Sequence, residues 1–199
     1  LVPDFAGKGS EVGPCQRACD LEGHNTRAII RMADTSAPSA PFDPRYRPCV
    51  GIMVLNDQGL VFVGQRAGAE ASDYAWQMPQ GGIDEGETPE QAAWRELAEE
   101  TSITTAELLG ESEAWLAYDL PVEALQRWPG KYIGQYKGQA QKWFVFRFRG
   151  DDSDIDLTAH DEVEFSDWRW QRMDDLANLV VPFKKAVYEA IVAEFRHYT

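Results

Sequence analysis

Three glutamates, Glu96, Glu99 and Glu100, stand at spacings that place them on one face of a helix. Like charges three and four residues apart repel one another, so this cluster indicates a cation between the carboxylates. Mg²⁺ takes oxygen ligands and commonly joins carboxylates to substrate phosphates, and Mn²⁺ accepts similar donors. The pattern therefore predicts a divalent metal, Mg²⁺ or Mn²⁺, and phosphate chemistry. The alternative is a solvated acidic helix face, against which Arg95 and the glycine-rich turn at 81–86 argue.

The helix that would carry these glutamates has clear signals at its start. Thr88 suits the N-cap, Pro89 suits the first helical position, and Gln91 completes a Thr-x-x-Gln capping box. We therefore expect the helix to begin at Pro89. Ala93 and Leu97 form a small apolar stripe opposite the acidic one, so the carboxylates should face solvent or a cleft while the other side packs on a core.

The run GGIDEGETPEQAAWRELAEETSI at 81–103 resembles the Nudix box, G-x5-E-x7-R-E-U-x-E-E-x-G-U with U aliphatic. The matching positions are Gly81, Glu87, Arg95, Glu96, Leu97, Glu99, Glu100 and Ile103. Ser102 stands where the pattern has glycine, so the helix must end without the residue that most readily adopts the left-handed conformation. The resemblance implies an α+β fold, the Nudix α/β/α sandwich with a mixed sheet between helices, and metal-dependent hydrolysis of nucleoside polyphosphates.

Composition bounds the class of protein. The chain has 199 residues, 44% hydrophobic content and seven tryptophans, which favours one folded domain. Its net charge of −14 argues against an extended nucleic-acid surface, so contact with nucleic acid should be confined to a small basic pocket. Three cysteines, Cys15, Cys19 and Cys49, form no disulfide framework and favour a reducing, cytoplasmic location. No membrane segment is predicted, and the oligomeric state is left open.

Two regions differ in character. Residues 1–44 are rich in Gly, Pro, Ser and Ala and predict a mostly disordered leader before a Nudix domain at 45–199. Within that domain, the segments before and after Gly59 read as a hairpin, and 143–149 reads as a strand with alternating phenylalanines. From Phe183 onward an amphipathic helix is expected. The residues predicted to face the core are Phe144, Phe146, Phe148, Val187, Ile191 and Phe195.

Flanking segments are similar to those of one Nudix group, the RNA pyrophosphohydrolases with the asymmetric dinucleoside tetraphosphate hydrolases. These segments are YRPCVGI at 46–52, WQMPQGGIDEGE at 76–87, WLAYDLP at 115–121, GQAQKWF at 138–144, EFSDWRW at 164–170 and VVPFKKAVY at 180–188. The resemblance implies metal ligands from Glu96, Glu99 and Glu100, from the carbonyl of Gln80, and from Glu164. It leaves open which carboxylate is the general base. By the same resemblance, Glu87 and Arg95 pair to hold the loop against the helix.

Basic and aromatic residues in the matching segments are candidates for holding the substrate. Arg47, Arg66 and Lys142 would contact phosphates, Tyr118 would hydrogen-bond a phosphate oxygen, and Phe183 would stack on a base beside Lys184. Each could instead be an ordinary surface or core residue. The expected partner is the 5′ end of RNA, with a dinucleoside polyphosphate such as diadenosine tetraphosphate as the alternative. An inert nucleotide-sensing module is disfavoured because all box carboxylates are present.

Overall fold

The computed structural model describes residues 41–126, 134–160 and 163–199. The predicted leader at 1–44 therefore lies almost wholly outside the described residues, together with Cys15 and Cys19, and it stays a prediction. Within the described parts of the chain, no helix is long and apolar enough to cross a membrane.

The sheet begins with the predicted hairpin. Strands β1, Tyr46–Leu55, and β2, Val61–Arg66, pair antiparallel with Leu55 opposite Val61. The Asn56 side-chain oxygen accepts hydrogen bonds from the backbone N–H groups of Gln58 and Leu60, at 3.0 and 2.9 Å. Gly59 has a φ of 73°, which explains why a glycine stands in this turn. The hairpin prediction is confirmed.

Within the described residues, the sheet has eight strands of mixed direction. The further strands are β3 Trp76–Gln77, β4 Gln80–Gly82, β5 Ala106–Glu111, β6 Leu116–Asp119, β7 Gly138–Phe148 and β8 Phe165–Gln171. The central path runs β3-β2-β1-β7-β5, with β4 on β1, β6 on β7 and β8 on β2. Strands β1 and β7 are parallel along their length, whereas the other pairs are antiparallel.

Helices cover both faces of this sheet. Helix α1 is Pro89–Thr101, α2 is Val122–Leu125, α3 is Leu176–Leu179 and α4 is Lys185–Phe195. On one face, Val50 and the predicted phenylalanines of β7 pack with Ala93 and Leu97 of α1. On the other, Met53 and Trp143 pack with α3 and with the predicted apolar residues of α4. The α+β fold, a mixed sheet between helices, is confirmed, as are the faces of β7 and α4.

Helix α1 begins and ends as its sequence requires. The Thr88 hydroxyl accepts from the Gln91 N–H at 3.2 Å, and the Gln91 side chain accepts from the Thr88 N–H at 2.9 Å, so the capping box is formed. At the other end Ser102 is left-handed, with a φ of 61°. Its hydroxyl donates to the carbonyl of Asp156 at 2.7 Å, which offsets part of a backbone cost on the order of 1 kcal/mol.

The terminal helix differs slightly from its prediction. Its first turn, Pro182–Lys184, is a 3₁₀ turn, and regular α-helix begins only at Lys185. A last 3₁₀ turn, Arg196–Tyr198, follows the helix. The tighter first turn places Phe183 and Lys184 beside the sheet, where they enter the candidate site.

Candidate active site

Arg95 on α1 joins the helix to the turn before it. Its Nε and Nη2 atoms donate to the two carboxylate oxygens of Glu87, each at 2.9 Å. Nη2 also donates to the carbonyl of Gly82 on β4 at 2.8 Å. Hydrogen bonding to this guanidinium lowers the pKa of Glu87, and Glu87 in turn raises the pKa of Arg95. The pair thus lies as the resemblance implied, with the turn held against the helix.

The same guanidinium lies between two of the predicted metal ligands. Its Nη1 atom donates to Glu96 at 2.8 Å and to Glu99 at 3.0 Å. Repulsion between the carboxylates predicted a metal at this place, but the cation that the structure shows between Glu96 and Glu99 is Arg95. Across the described ranges, no three His, Cys, Asp or Glu side chains converge as a ready metal site. Arg95 thus supplies part of the neutralising charge, and the metal roles of Glu96 and Glu99 stay predictions.

Two consecutive glycines of β4 allow close approaches on opposite sides of the strand. A Cβ atom added to Gly81 would lie 1.8 Å from Cδ of Glu96. One added to Gly82 would lie 1.9 Å from Nη2 of Arg47. Neither side chain could keep its place beside a larger residue. The glycines therefore position one predicted metal ligand and one predicted phosphate contact.

Glu100 has a different environment from Glu96 and Glu99. Its Oε2 atom accepts from the backbone N–H of Gln80 at 3.1 Å, across the cleft between α1 and β4. Burial raises the pKa of Glu100 well above its ordinary value, and the charges of Glu164 and Glu96 raise it further. Burial likewise raises the pKa of Glu96. A divalent cation would relieve both the desolvation and the repulsion, so these hard oxygen donors fit such a metal.

A cavity of about 370 Å³ opens beside these carboxylates. We call it the site cavity. Its lining includes six of the predicted site residues: Arg66, Gln80, Tyr118, Glu164, Phe183 and Lys184. The rings of Tyr118 and Phe183 lie 5.8 Å apart, centre to centre. Residues from five separated parts of the chain thus meet around one space that has an aromatic wall, cations and a carboxylate.

Lys184 is the buried cation of the site cavity. Only 7% of the residue is exposed, and its Nζ atom donates to the side-chain oxygens of Gln80 at 2.8 Å and Gln77 at 3.4 Å. Burial, together with the nearby charge of Arg66, lowers the pKa of Lys184 to about 8. Neutral amide oxygens hold this ammonium without neutralising it, so its charge remains available to an anionic ligand.

Two predicted phosphate contacts lie outside the lining of the site cavity. Lys142 forms an ion pair with Glu111 at 3.3 Å and donates to the carbonyl of Ser112. Arg47 lies against Gly82, and its charge acts on the carboxyl of Glu96. Arg47 therefore belongs to the region around α1 and β4, whereas Lys142 pairs with Glu111 on β5. The phosphate roles of both residues stay predictions.

Sequence reasoning missed a set of buried glutamines. The Tyr118 hydroxyl donates to the side-chain oxygen of Gln139, so its hydrogen is directed at this amide. Gln141 donates from its side chain to that of Gln80 at 3.1 Å. Gln139 and Gln141 are two residues apart on β7 and share one face of the strand, which is the signal that could have found them. They link Tyr118 to the residue that also holds Lys184.

The fold and this site together define a class of protein, an α/β/α hydrolase that presents carboxylates from one helix beside a cationic, aromatic cavity. Residues 45–191 match the NUDIX domain family, and the chain belongs to that family. Its members are generally dependent on a divalent metal. The family prediction made from 81–103 is confirmed.

Curated relatives match most of this chain and nearly all of their own length. An RNA pyrophosphohydrolase of Agrobacterium fabrum is 53% identical over 165 residues, which cover 78% of this chain and 94% of the relative. An RNA pyrophosphohydrolase of Caulobacter vibrioides is 49% identical over 153 residues, covering 77% and 87%.

Among solved structures, the E. coli dihydroneopterin triphosphate pyrophosphohydrolase has a TM-score of 0.58 at 22% identity. The match covers 75% of this chain and 98% of that chain. A C. elegans Ap4A hydrolase has a TM-score of 0.52 at 18% identity, covering 75% and 98%. At these identities the likeness shows the shared fold.

Proposed function

We propose that this protein is a metal-dependent hydrolase that removes pyrophosphate from the 5′ triphosphate end of RNA, a reaction that belongs to mRNA decay. The observation that carries the proposal is the site cavity, where Lys184, Arg66 and Phe183 lie together with Glu164. The cations would bind the phosphates of a polyphosphate, and the aromatic wall would stack on a base. Relatives about half identical to this chain and named RNA pyrophosphohydrolase support the assignment to RNA.

The metal is proposed to be Mg²⁺ or Mn²⁺. Glu96, Glu100 and Glu164 would hold it together with Glu99 and the carbonyl oxygen of Gln80. When bound, a divalent metal neutralises phosphate oxygens and lowers the pKa of an attacking water. Binding there would compete with Arg95 for the carboxylates of Glu96 and Glu99, while the pairing of Arg95 with Glu87 could persist.

The chain itself would bind and orient the substrate. Phe183 is half-buried in the wall of the site cavity beside Tyr118, a placement that suits stacking on a base. Arg66 and Lys184 would contact phosphate oxygens there. Arg47, which lies against β4, and Lys142 are the remaining candidates for the outer phosphates. Tyr118 would contribute its ring to the wall of the site cavity, and a hydrogen bond to a phosphate oxygen would require its hydroxyl to turn away from Gln139.

The overall charge supports selection of RNA ends rather than RNA interiors. With a net charge of −14, the protein lacks the basic balance that non-specific binding along a nucleic acid requires. Affinity should therefore depend on the 5′ polyphosphate. The proposal places the enzyme in the cytoplasm, consistent with three cysteines that form no disulfide framework in the sequence.

The test compares RNAs that differ only at the 5′ end, carrying triphosphate, monophosphate or hydroxyl, with diadenosine tetraphosphate as a further substrate. With Mg²⁺ or Mn²⁺ we expect pyrophosphate release from the triphosphate end alone. Phe183→Ala should lower kcat/KM by roughly 5- to 150-fold, the range of one base stack, while metal binding is retained. Equal binding to all three ends would contradict the proposal. Turnover of the dinucleotide alone would instead make the protein a dinucleoside polyphosphate hydrolase.

A further inference from the structure

The loop at 67–75, between β2 and β3, is folded on itself. Arg66 at its start donates its N–H to the carbonyl of Ala75 at 2.9 Å, which closes the loop. Inside it, Ser72 donates its N–H to the carbonyl of Ala69 at 2.9 Å, and its hydroxyl accepts from the N–H of Tyr74 at 3.1 Å. These hydrogen bonds hold the loop in a defined conformation.

This loop lines a groove of about 500 Å³, which we call the loop groove. Its lining is formed by Arg66, Ala67, Gly68, Ala69, Ala71, Ser72, Tyr74 and Val181. Its volume lies within the range of small-ligand sites, roughly 300 to 1,000 Å³. Most of the lining is small, so a flat ligand could approach the two large polar side chains, one cationic and one aromatic.

Tyr74 is unusual among the aromatic residues of this protein. Three large hydrophobic side chains are exposed in the described part of the chain, and Tyr74, at 43% exposure, is the aromatic one. Proteins that bind single-stranded nucleic acids combine an aromatic ring with a cation in an open groove. The bases stack on the ring, and the phosphates contact the cation. The loop groove thus offers the side-chain groups that would bind a nucleotide.

The loop groove lies next to the site cavity. Arg66 and Val181 line both spaces, so a ligand could pass from one to the other along these two side chains. Arg66 is exposed and forms no salt bridge with any other residue that the structure describes. Its charge is therefore available at the junction, where a phosphate linking two adjacent nucleotides would lie.

We infer that the loop groove binds the nucleotide immediately downstream of the one in the site cavity, with Tyr74 stacking on its base and Arg66 contacting the linking phosphate. The inference rests on the proposed function, because it assigns the groove to the same RNA. A dinucleoside tetraphosphate also has a second base, but four phosphates separate its two nucleosides. Two spaces that share a single arginine suit the one phosphodiester of an RNA chain.

The experiment measures kcat/KM for 5′-triphosphorylated RNAs of one to four nucleotides, and for diadenosine tetraphosphate, with Mg²⁺ or Mn²⁺. For the wild type we expect kcat/KM to rise at the chain length at which the RNA first places a nucleotide in the loop groove. Tyr74→Ala should reduce kcat/KM on RNAs beyond that step by at least about 5-fold and leave shorter RNAs and the dinucleotide unchanged. Tyr74→Phe, which keeps the ring, should behave as the wild type.

Val122→Ala is the matched control, since it also truncates an exposed side chain and lies outside both spaces. It should leave the length profile and the melting temperature unchanged. Identical length profiles for the wild type and Tyr74→Ala would overturn the inference while the proposed function stands. A Tyr74→Phe variant as impaired as Tyr74→Ala would overturn the stacking role. If RNA of no length were hydrolysed, the proposed function itself would fail.

Discussion

Replacing Gly81 with alanine should displace a predicted metal ligand without adding any charge or polar group. The new Cβ would lie 1.8 Å from Cδ of Glu96 and about as close to both carboxylate oxygens, at 2.0 and 2.1 Å. Contacts below 3.0 Å are essentially never seen for a real Cβ, so the Glu96 carboxyl must withdraw by more than about 1 Å. The backbone of Gly81 is not left-handed, so alanine itself is tolerated there.

The withdrawal should affect activity far more than stability. It would break the 2.8 Å hydrogen bond from Arg95 to Glu96, with a loss on the order of 1 to 2 kcal/mol in the free energy of unfolding. A smaller unfolded-state entropy with alanine offsets about 0.4 to 1 kcal/mol of that loss. A catalytic group misplaced by about 1 Å can lower the rate by roughly 10²-fold. We therefore expect kcat/KM to fall about 100-fold while urea denaturation shows a loss near 1 kcal/mol.

The matched control makes the same change in a Glu96→Ala background. There the Cβ finds the space of the missing carboxylate, so Gly81→Ala should become neutral or stabilising by up to about 1 kcal/mol. If Gly81→Ala lowers the free energy of unfolding in the wild type but not in the Glu96→Ala background, the cost comes from a collision with Glu96. An equal cost in both backgrounds, or full activity of the single variant, would refute this reasoning.

Three further changes test other parts of the site. Glu100→Gln should keep the fold and lower turnover by several orders of magnitude, and near-normal turnover would remove Glu100 from the mechanism. EDTA should abolish the wild-type activity until Mg²⁺ or Mn²⁺ is restored, and activity that survives EDTA would remove the metal from the mechanism. Arg95→Lys should lose the two-pronged contact with Glu87 and lower kcat at least about 10-fold, while Mn²⁺ binding measured by calorimetry persists; loss of metal binding would mean that Arg95 does more than position the turn. Cys49, in a variant with Cys15→Ser and Cys19→Ser, should resist thiol reagents at pH 8, because burial raises its pKa to about 12 and only about 10⁻⁴ of it is then thiolate; prompt labelling without urea would contradict this environment.

Local features of the candidate site could be predicted from the sequence because they depend on the helical period and on neighbouring residues. The capping box of Thr88 and Gln91 and the start at Pro89 need only contacts within one turn. The pairing of Glu87 with Arg95 was implied by the family resemblance and spans eight residues. The apolar faces of β7 and α4 follow from periodicities of two and 3.6 residues.

Tertiary structure decided which charges meet. Glu164 lies 64 positions after Glu100, yet its charge acts on that carboxyl because β8 pairs with β2 beside the site. Lys142, predicted to bind phosphate, forms an ion pair with Glu111, and its phosphate role stays a prediction.

The buried amides that hold Tyr118 and Lys184 depend on the register of several strands. Gln139 and Gln141 come from β7, and Gln80 comes from β4, which pairs with β1. The sequence alone determined the family and the helix that carries the glutamates. The pairing of strands distant in sequence determined which of those residues face one cavity, because each register sets the face and neighbours of every side chain on the strand.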